Sequence, residues 1–381
     1  MKIFRRQIII MHRFIQTLLL AALVFTPVNS LVAQESGDQA FTFNREEFPP
    51  VIVGQLASDC LVTIQSVRLA FAGFSMLDPY NRTISEVGGS GFIVHPDGYI
   101  LTTPDMAGTA KSLTIEYKGV EYEASVEVVD GYYNLALLKI DKTGLPAIKW
   151  GDSNTAERGM PVVVLGAPAG LERTLTYGFL TNIRDFRVTG PRGFDGMLIK
   201  DGFVIDAALH GDALTNPVFN SKAELVGIVG HRDPGAQNIG YVMPSNLVKS
   251  IVDQMIKDGK VCHPWLGIFA YPYYTRTLAL YMGIPIDEID PETGQKYDVV
   301  GVLVDFIAQG SPAAAAGIVR GDLILRADGE LIRTIGDLET KILNKGCGEE
   351  MSLVIIRNYQ LRYINIQIGD KQEDYGNIYA I

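Results

Sequence analysis

The sequence predicts a mainly β protein with two folded parts. From about residue 51 to 250, short apolar, β-branched runs such as "PVVVLG" and "LVGIVG" alternate with Gly, Pro, Asp and Asn. Many short strands with regularly spaced turn signals, and no helical repeat between them, indicate an antiparallel sandwich or barrel. A helical repeat closes this part, and a smaller region that mixes strands and helices follows it.

The closing helix is predicted in "PSNLVKSIVDQMIKDGK", where Leu247 and Ile251 belong to an apolar helical repeat and Gly259 stops it. Residues 264–370 contain strands such as "GVLVDFI" and two short helical stretches, "SPAAAAGI" and "TIGDLETKILNK". Ser311, followed by a proline, suits the N-cap of the first of these helices. The second part is therefore a small α+β domain.

The chain is acidic, with 33 Lys and Arg against 43 Asp and Glu and a net charge of −10. A surface of this sign repels phosphate backbones, and the sequence has no basic run with interleaved aromatic residues. We therefore expect no nucleic-acid partner. No spacing typical of metal ligands occurs, so we predict neither a metal site nor a cofactor.

The first residues predict export. Basic residues precede the apolar run "LLLAALVF", and small residues suitable for cleavage follow it, so residues 1–33 are predicted to be a signal peptide. An uncleaved anchor or a buried helix is the alternative. The location is periplasmic or otherwise extracytoplasmic, with membrane tethering if the signal is not cleaved. Residues 34–50 form an N-terminal arm whose phenylalanines pack on a neighbouring subunit or on the barrel itself.

The three cysteines do not predict a disulfide framework. Cys60 lies in the apolar run "CLVTI" and is expected in the core. Cys262 and Cys347 are far apart in the sequence, and the sequence leaves open whether they pair.

Several separated motifs resemble one family. "GSGFIVHPDGYILT", "ELVGIVG" and "GSPAAAAGIVRGDLILRADGE" are similar, in the same order, to segments of the HtrA/DegP group of exported trypsin-like proteases. The resemblance implies a trypsin-like double six-stranded β-barrel at residues 51–260 and one PDZ domain at 264–370. Residues 371–381 form a C-terminal tail. The resemblance to this family also implies an assembly based on trimers.

The catalytic positions of that family carry other residues in this chain. In "LTTPDMA", Asp105 stands where the resemblance implies a histidine, and in "YYNLALLKI", Asn134 stands where it implies an aspartate. In "DAALHGDALTNPVFN", Leu214 falls on the position of the nucleophilic serine. Acyl transfer in this family needs a hydroxyl that an imidazole activates. We therefore expect no catalytic residues and no enzyme.

A relocated catalytic or metal site is the alternative, built from polar residues near the same cleft: His210, Asp212, Thr215 and Asp105. The other histidines suggest no chemistry. His95 and His231 are expected in exposed loops, and His263 is expected to be a residue of the connection between the domains.

The PDZ domain keeps its binding features. "PWLGIFA" is similar to the carboxylate-binding loop of PDZ domains and the strand after it, which predicts Trp265, Leu266, Gly267 and Ile268 as peptide-binding residues. The helix around residues 337–343 would form the opposite wall. Alternatively, Leu266 and Ile268 only fill the core of the domain.

Together these features predict an exported, proteolytically inactive HtrA-like protein. Its PDZ domain would bind protein C-termini or unfolded polypeptides, as a homotrimer or in a mixed oligomer with an active relative, which it would regulate or scaffold in envelope protein quality control. One alternative is an active endopeptidase with a relocated site. The other is a structural envelope protein.

Overall fold

The computed structural model describes the following residues: 48–71, 82–107, 110–166, 174–189, 195–209, 214–232, 238–271, 287–289, 296–298, 301–358 and 360–371. The predicted signal peptide, most of the arm and most of the tail lie outside these ranges. Among the described residues, no helix has the length and apolar character needed to cross a membrane.

The first barrel is closed, with strand order β1-β2-β3-β6-β5-β4. A short helix, α1 (Pro49–Leu56), precedes it, and another, α2 (Pro104–Ala107), follows β3. Alternate side chains of its strands point inward and form a core of mostly β-branched and leucine residues. The strands are β1 (Leu61–Phe71), β2 (Arg82–His95), β3 (Tyr99–Thr102), β4 (Ala110–Tyr117), β5 (Val120–Asp130) and β6 (Leu135–Ile140).

The second barrel is closed in the same way, with order β10-β11-β12-β9-β8-β7. The helix α3 (Ser245–Asp258) ends at Gly259, whose φ of 67° suits a glycine, as the sequence predicts. The strands are β7 (Pro161–Gly166), β8 (Thr174–Thr189), β9 (Asp195–Ile205), β10 (Pro217–Phe219), β11 (Leu225–Arg232) and β12 (Gly240–Pro244).

A third core joins the two barrels. Phe92 and Leu135 from the first barrel, Leu165 and Phe219 from the second, and Ile251 of α3 belong to one buried apolar cluster. The barrels are therefore held together by packing of the same kind that stabilises each of them.

The small domain contains a sheet of order β14-β17-β18-β20-β21, with β14 at its edge. Among the residues described for this domain, two helices accompany the sheet, α4 (Pro312–Ala315) and α5 (Ile335–Lys345). The predicted architecture of two six-stranded barrels followed by a small α+β domain is confirmed. The strands are β13 (Pro264–Trp265), β14 (Ile268–Ala270), β15 (Asp287–Ile289), β16 (Lys296–Asp298), β17 (Val302–Ile307), β18 (Leu323–Ala327), β19 (Glu330–Leu331), β20 (Glu350–Arg357), β21 (Gln360–Gln367) and β22 (Gly369–Asp370).

Both helices of this domain start at caps that the sequence encodes. The Ser311 hydroxyl accepts from the Ala314 amide at 3.2 Å, which confirms the predicted N-cap of α4. At α5, the Thr334 side chain accepts from the Asp337 amide, and the Asp337 carboxylate accepts from the Thr334 amide. This reciprocal capping box fixes the start of the helix that faces β14.

Candidate functional site

The three positions that the sequence predicts to be vacated catalytic positions lie on separate segments. Asp105 is exposed in the first turn of α2, and Asn134 is buried in the turn before β6 with a φ of 56°. Leu214 is half-buried against the core of the second barrel. These side chains are a carboxylate, an amide and an alkyl group, so none of them is an imidazole or a hydroxyl nucleophile.

Thr215, next to Leu214, has a strained backbone. Its φ of 63° is unusual for a β-branched residue, and its side chain is buried. The Thr215 hydroxyl donates to the Leu214 carbonyl at 2.6 Å, and its amide donates to Val229 at 2.8 Å. The other two residues of the predicted relocated site, His210 and Asp212, lie outside the described residues.

A cavity of about 330 Å³ lies between β14 and α5, and we call it the groove. Trp265, Leu266, Gly267 and Ile268, the four predicted peptide-binding residues, all line it. Its walls are mainly apolar, with Ala270 on the β14 side and Leu338 and Ile342 on the α5 side. An apolar cleft between an edge strand and a helix can hold an extended peptide.

Two amide N–H groups of the 265–268 loop point away from the body of the small domain. The Leu266 carbonyl accepts from the Ala313 amide at 2.9 Å, and the Gly267 carbonyl accepts from the Ala308 amide at 2.9 Å. In a trans peptide the carbonyl and the following N–H point in opposite directions. Because both carbonyls face the body of the domain, the N–H groups of Gly267 and Ile268 face away from it. Adjacent N–H groups of this kind bind anions.

Only glycine fits at position 267. Its φ is 77°, and a Cβ atom there would lie 2.2 Å from Cβ of Ser311. The backbone conformation and the close approach to the cap of α4 therefore both require a residue without a side chain.

The groove edge of β14 can pair with another strand. The bond from the Ala308 amide to the Gly267 carbonyl makes Ile268 and Ile307 a non-hydrogen-bonded pair in the β14–β17 ladder. The N–H and C=O of Ile268 therefore point away from β17, toward the edge that pairs with no other strand among the described residues. An extended peptide lying along the groove could form bonds with both.

The second barrel supplies one wall of the groove. Met197 and Leu198 of β9 line it, together with Arg187 of β8. Nη2 of Arg187 lies 2.5 and 2.6 Å from the two carboxylate oxygens of Glu339 on α5. Both side chains are partly exposed, so the pair positions the helix against the barrel more than it stabilises the fold.

His263, predicted only as a residue of the connection, is fully buried between the barrels and the small domain. Its Nε2 lies 2.7 Å from Asp130 of β5, and its Nδ1 lies 3.7 Å from Asp370 of β22. Burial alone would lower the pKa of His263, but the two carboxylates outweigh it and raise the pKa to about 9. The rings of Tyr132 and Tyr133 lie 4.7 and 5.5 Å from the imidazole.

The cysteine pairing that the sequence leaves open is resolved here. Cys262 and Cys347 form a disulfide, and their Cα atoms are 6.2 Å apart. It joins the residue before His263 to the segment just after α5. Cys60 is free and buried, as expected for a core residue, and burial raises the pKa of its thiol to about 12.

Two other histidines lie outside the groove. His95 is exposed at the end of β2, as expected, and lies 3.4 Å from Asp97. The expectation of an exposed loop is wrong for His231, which lies half-buried in β11 with its ring 5.3 Å from that of Tyr241. Across the described ranges, no three residues of the types His, Cys, Asp and Glu are grouped so that they could hold a metal ion.

Comparison with known families identifies both parts of the chain. The family described as trypsin-like peptidase domain matches residues 89–228, and the PDZ domain family matches residues 281–368. In this pairing of domains the chain resembles the HtrA/DegP group. It joins a trypsin-like β-barrel domain to a PDZ domain, which confirms the fold that the resemblance implies.

Relatives along most of the HtrA/DegP-like chain are named proteases. A putative serine protease HhoB of Synechocystis is 28% identical over 78% of this chain and 70% of its own length. A probable periplasmic serine endoprotease DegP-like of Brucella suis is 31% identical over 76% of this chain. The chain spans about half of that relative, 53% of its length.

Solved structures show the same fold. The HtrA-type protease AlgW with decapeptide has a TM-score of 0.67 at 23% identity and covers 84% of this chain and 97% of its own. A serine endoprotease from Yersinia pestis has a TM-score of 0.61 at 23% identity, with 84% and 97% covered.

These comparisons correct one prediction. The residues at positions 105, 134 and 214 underlie the prediction that the chain is not an enzyme, but the relatives that match it are named serine proteases and endoproteases. The prediction is therefore wrong. The prediction rested on the residue types at three positions alone, whereas the Brucella suis relative matches over 76% of the chain.

Proposed function

We propose that the groove of this HtrA/DegP-like chain binds the C-terminal end of extended peptides or unfolded polypeptides. The supporting observation is the pair of N–H groups of Gly267 and Ile268, which point from the 265–268 loop at one end of an apolar cleft. A terminal carboxylate is the anion that suits such a pair, because the rest of its chain can pair with the strand that follows.

The remaining predicted residues have distinct roles in this proposal. The side chain of the last peptide residue would enter the cleft between Ile268 and Ile342. Leu266 is 2% exposed, so it supports the floor and does not contact the peptide side chain directly. Trp265 pairs with Gly369 in a two-stranded sheet and so fixes the start of the 265–268 loop.

Two variants test this function. We expect a fluorescent decapeptide ending in leucine to bind the purified chain as the free acid and at least about tenfold more weakly as the C-terminal amide, because a charged hydrogen-bonded group is lost. Gly267→Ala should abolish binding of the acid, since its Cβ would collide with Ser311. Gly329→Ala is the matched control, because Gly329 has a similar φ of 78° and open space around it. Equal affinity for acid and amide would overturn the proposal.

We propose that the chain is exported and forms homo-oligomers. The disulfide between Cys262 and Cys347 suits an oxidising compartment, and the Brucella relative is named periplasmic. Phe48 packs against Tyr177, whose ring also contacts Phe179, and the residues Tyr177 and Phe179 remain 37% and 44% exposed. Exposed aromatic clusters of this kind occur at subunit interfaces.

Light scattering after size exclusion tests the assembly. The natural chain is expected to elute as an oligomer, and Tyr177→Ser combined with Phe179→Ser should release the monomer. Tyr363→Ser, which changes an aromatic residue of β21 that is 78% exposed, is the control and should leave the mass unchanged. A monomeric natural chain would contradict the proposal.

Endopeptidase activity is a second candidate function, favoured by the names of the relatives. We propose that Asp105, Asn134 and Leu214 occupy the positions of the family's catalytic triad. Hydrolysis by nucleophilic attack would then need a hydroxyl from a neighbouring residue, and Thr215 is adjacent to Leu214. The Thr215 hydroxyl donates its proton to the Leu214 carbonyl, so a general base would have to replace that carbonyl as the acceptor.

Casein hydrolysis tests this second function. If Thr215 is the nucleophile, Thr215→Ala should reduce the rate by several orders of magnitude. Thr181→Ala is the control, because Thr181 also donates to a backbone carbonyl, that of Val204 at 3.0 Å. Hydrolysis that survives Thr215→Ala would exclude Thr215, and no hydrolysis by the natural chain would exclude the second function.

A further inference from the structure

The disulfide between Cys262 and Cys347 lines a second cavity of about 730 Å³, which we call the disulfide cavity. Among the described residues, none lines both this cavity and the groove. Both cysteines are half-buried. Gly310 and Gly348 also line the cavity, and a Cβ atom at either position would meet no atom within 4 Å. The bond is therefore open to a reagent that enters the cavity.

The bond joins the segments that carry the two walls of the groove. Cys262 lies just before the 265–268 loop, and Cys347 lies just after the end of α5. Leu338 and Ile342 of α5 form the wall opposite β14. Because the disulfide cross-links the two segments, it limits how far the walls of the groove can separate.

Other contacts keep this region folded when the bond is open. The Gly348 amide donates to the Ile368 carbonyl at 2.8 Å, and the Ile368 amide donates to the Glu349 carbonyl at 2.8 Å. Nζ of Lys345, the last residue of α5, lies 2.7 Å from the Asp328 carboxylate. Reduction of the disulfide would therefore loosen the end of α5 without unfolding the domain.

The two sulfur atoms of the bond are not equivalent. The Cys347 amide donates a hydrogen bond to Sγ of Cys262 at 3.3 Å. An N–H group that donates to a sulfur atom stabilises the thiolate form of that sulfur. In thiol–disulfide exchange, the sulfur that is more stable as a thiolate leaves faster. We therefore expect a thiolate to attack Sγ of Cys347, with Cys262 as the leaving group.

We infer that the Cys262–Cys347 bond is a redox site, where a dithiol reductant that enters the disulfide cavity reversibly opens the bond and thereby weakens peptide binding in the groove. One thiolate of the reductant forms a bond to Sγ of Cys347 while the Cys347–Cys262 bond breaks, and Cys262 takes the electron pair. The second thiolate then attacks the reductant's own sulfur in this mixed disulfide, which releases Cys347. The reductant loses two electrons, and its two thiol protons pass to the cysteines. The effect on binding rests on the proposed function of the groove.

Trapping of thiols in the folded chain tests the redox site. The purified chain would be treated with dithiothreitol as the dithiol, then with iodoacetamide, and analysed by mass spectrometry. We expect Cys262 and Cys347 to be alkylated while the circular dichroism spectrum stays unchanged. Cys60 should remain unmodified, because it is buried. A bond that opens only when the chain unfolds would overturn the inference.

Glutathione, which has one thiol, tests the direction of attack. After a brief exposure and alkylation with iodoacetamide, we expect glutathione on Cys347 and the alkyl group on Cys262. The reverse distribution would overturn the assignment of Cys262 as the leaving group.

Peptide affinity tests the effect on the groove. We expect a fluorescent decapeptide ending in leucine, as the free acid, to bind the oxidised chain about fivefold more tightly than the reduced chain, a typical coupling between two sites. By the same linkage, a saturating amount of the acid should make the bond about fivefold harder to reduce at equilibrium. Cys262→Ser combined with Cys347→Ser should bind like the reduced natural chain and should not respond to dithiothreitol. Cys60→Ala is the matched control and should keep the full response.

The amide of the same peptide separates the two claims. If the oxidised chain binds the acid no better than the amide, the groove proposal fails and the inferred effect on binding fails with it. If the acid is preferred but binds the oxidised and reduced chains equally, the groove proposal stands and the redox effect is excluded.

Discussion

His263 is a charged residue placed where few charged residues occur. Its side chain is completely buried, and the two carboxylates that contact it, Asp130 and Asp370, come from a barrel strand and from the end of the PDZ domain. The three groups form one unit, because removal of the imidazole leaves two buried carboxylates without the cation that balances their charge.

We expect His263→Ala to lower the free energy of unfolding by about 3–5 kcal/mol, the usual effect of breaking a buried ion pair. Urea denaturation at neutral pH would measure it. His95→Ala is the control, because His95 is about half exposed and should change stability little. A loss below about 1 kcal/mol for His263→Ala would show that the pair does not stabilise the fold.

The same residue predicts how stability depends on pH. The pKa of His263 is raised to about 9 in the folded chain, above the value of about 6.5 for an unfolded histidine. The contribution of protonated His263 to the free energy of unfolding is therefore fully present below about pH 6.5 and is lost as the pH rises through about 9. Other charged or titratable groups near the imidazole are Tyr132, Tyr133 and Lys371, whose Nζ lies 4.8 Å from the Tyr132 ring centre.

Thermal unfolding at pH 7 and pH 10 tests that dependence. We expect the natural chain to lose roughly 2–4 kcal/mol between these values beyond the loss shown by His263→Gln, which has no titrating ring. Parallel curves for the two proteins would mean that the histidine is neutral in the fold at pH 7.

At the scale of elements, the start of α5 sets the shape of the groove. Thr334 and Asp337 satisfy each other's backbone amides at the first turn, and Leu338 lines the groove immediately after. We expect Thr334→Ala to lower the free energy of unfolding by about 1 kcal/mol and Thr334→Ser to retain it, because serine keeps the accepting oxygen. Urea denaturation of both variants checks this, and equal losses would assign the effect to the methyl group.

Elements with a strong local pattern could be predicted from the sequence. The repeat of Leu247 and Ile251 identifies α3, and Gly259 marks its end, because both signals depend only on neighbouring residues. The cap at Ser311 was predictable for the same reason. The 265–268 loop also lies along the groove, although its binding role stays a prediction.

Features that depend on distant residues could not be predicted. His263 and Asp370 are 107 residues apart, and nothing around His263 in the sequence indicates that two carboxylates enclose it. The pairing of Cys262 with Cys347 likewise depends on a Cα distance that only the folded chain sets. The expectation that the chain is not an enzyme was wrong for another reason, because it was inferred from the residue types at three positions alone.

At the scale of the whole molecule, one disulfide joins the start of the PDZ domain to the end of α5. The cysteines are 85 residues apart, so the bond restricts a long loop in the unfolded chain. We expect Cys262→Ser combined with Cys347→Ser to lower the free energy of unfolding by about 2–4 kcal/mol. Guanidinium denaturation would measure it, with Cys60→Ala to distinguish loss of the bond from loss of core packing. An unchanged midpoint in the double variant would contradict the prediction.

The disulfide also limits how the PDZ domain can move. Cys347 lies just beyond the end of α5, and its bond to Cys262 links that end of the helix to the connection with the barrels. The PDZ domain is therefore attached to the connection at two points, through the chain after Cys262 and through the disulfide. This second attachment restricts rotation of the domain about the connection more than the chain alone would.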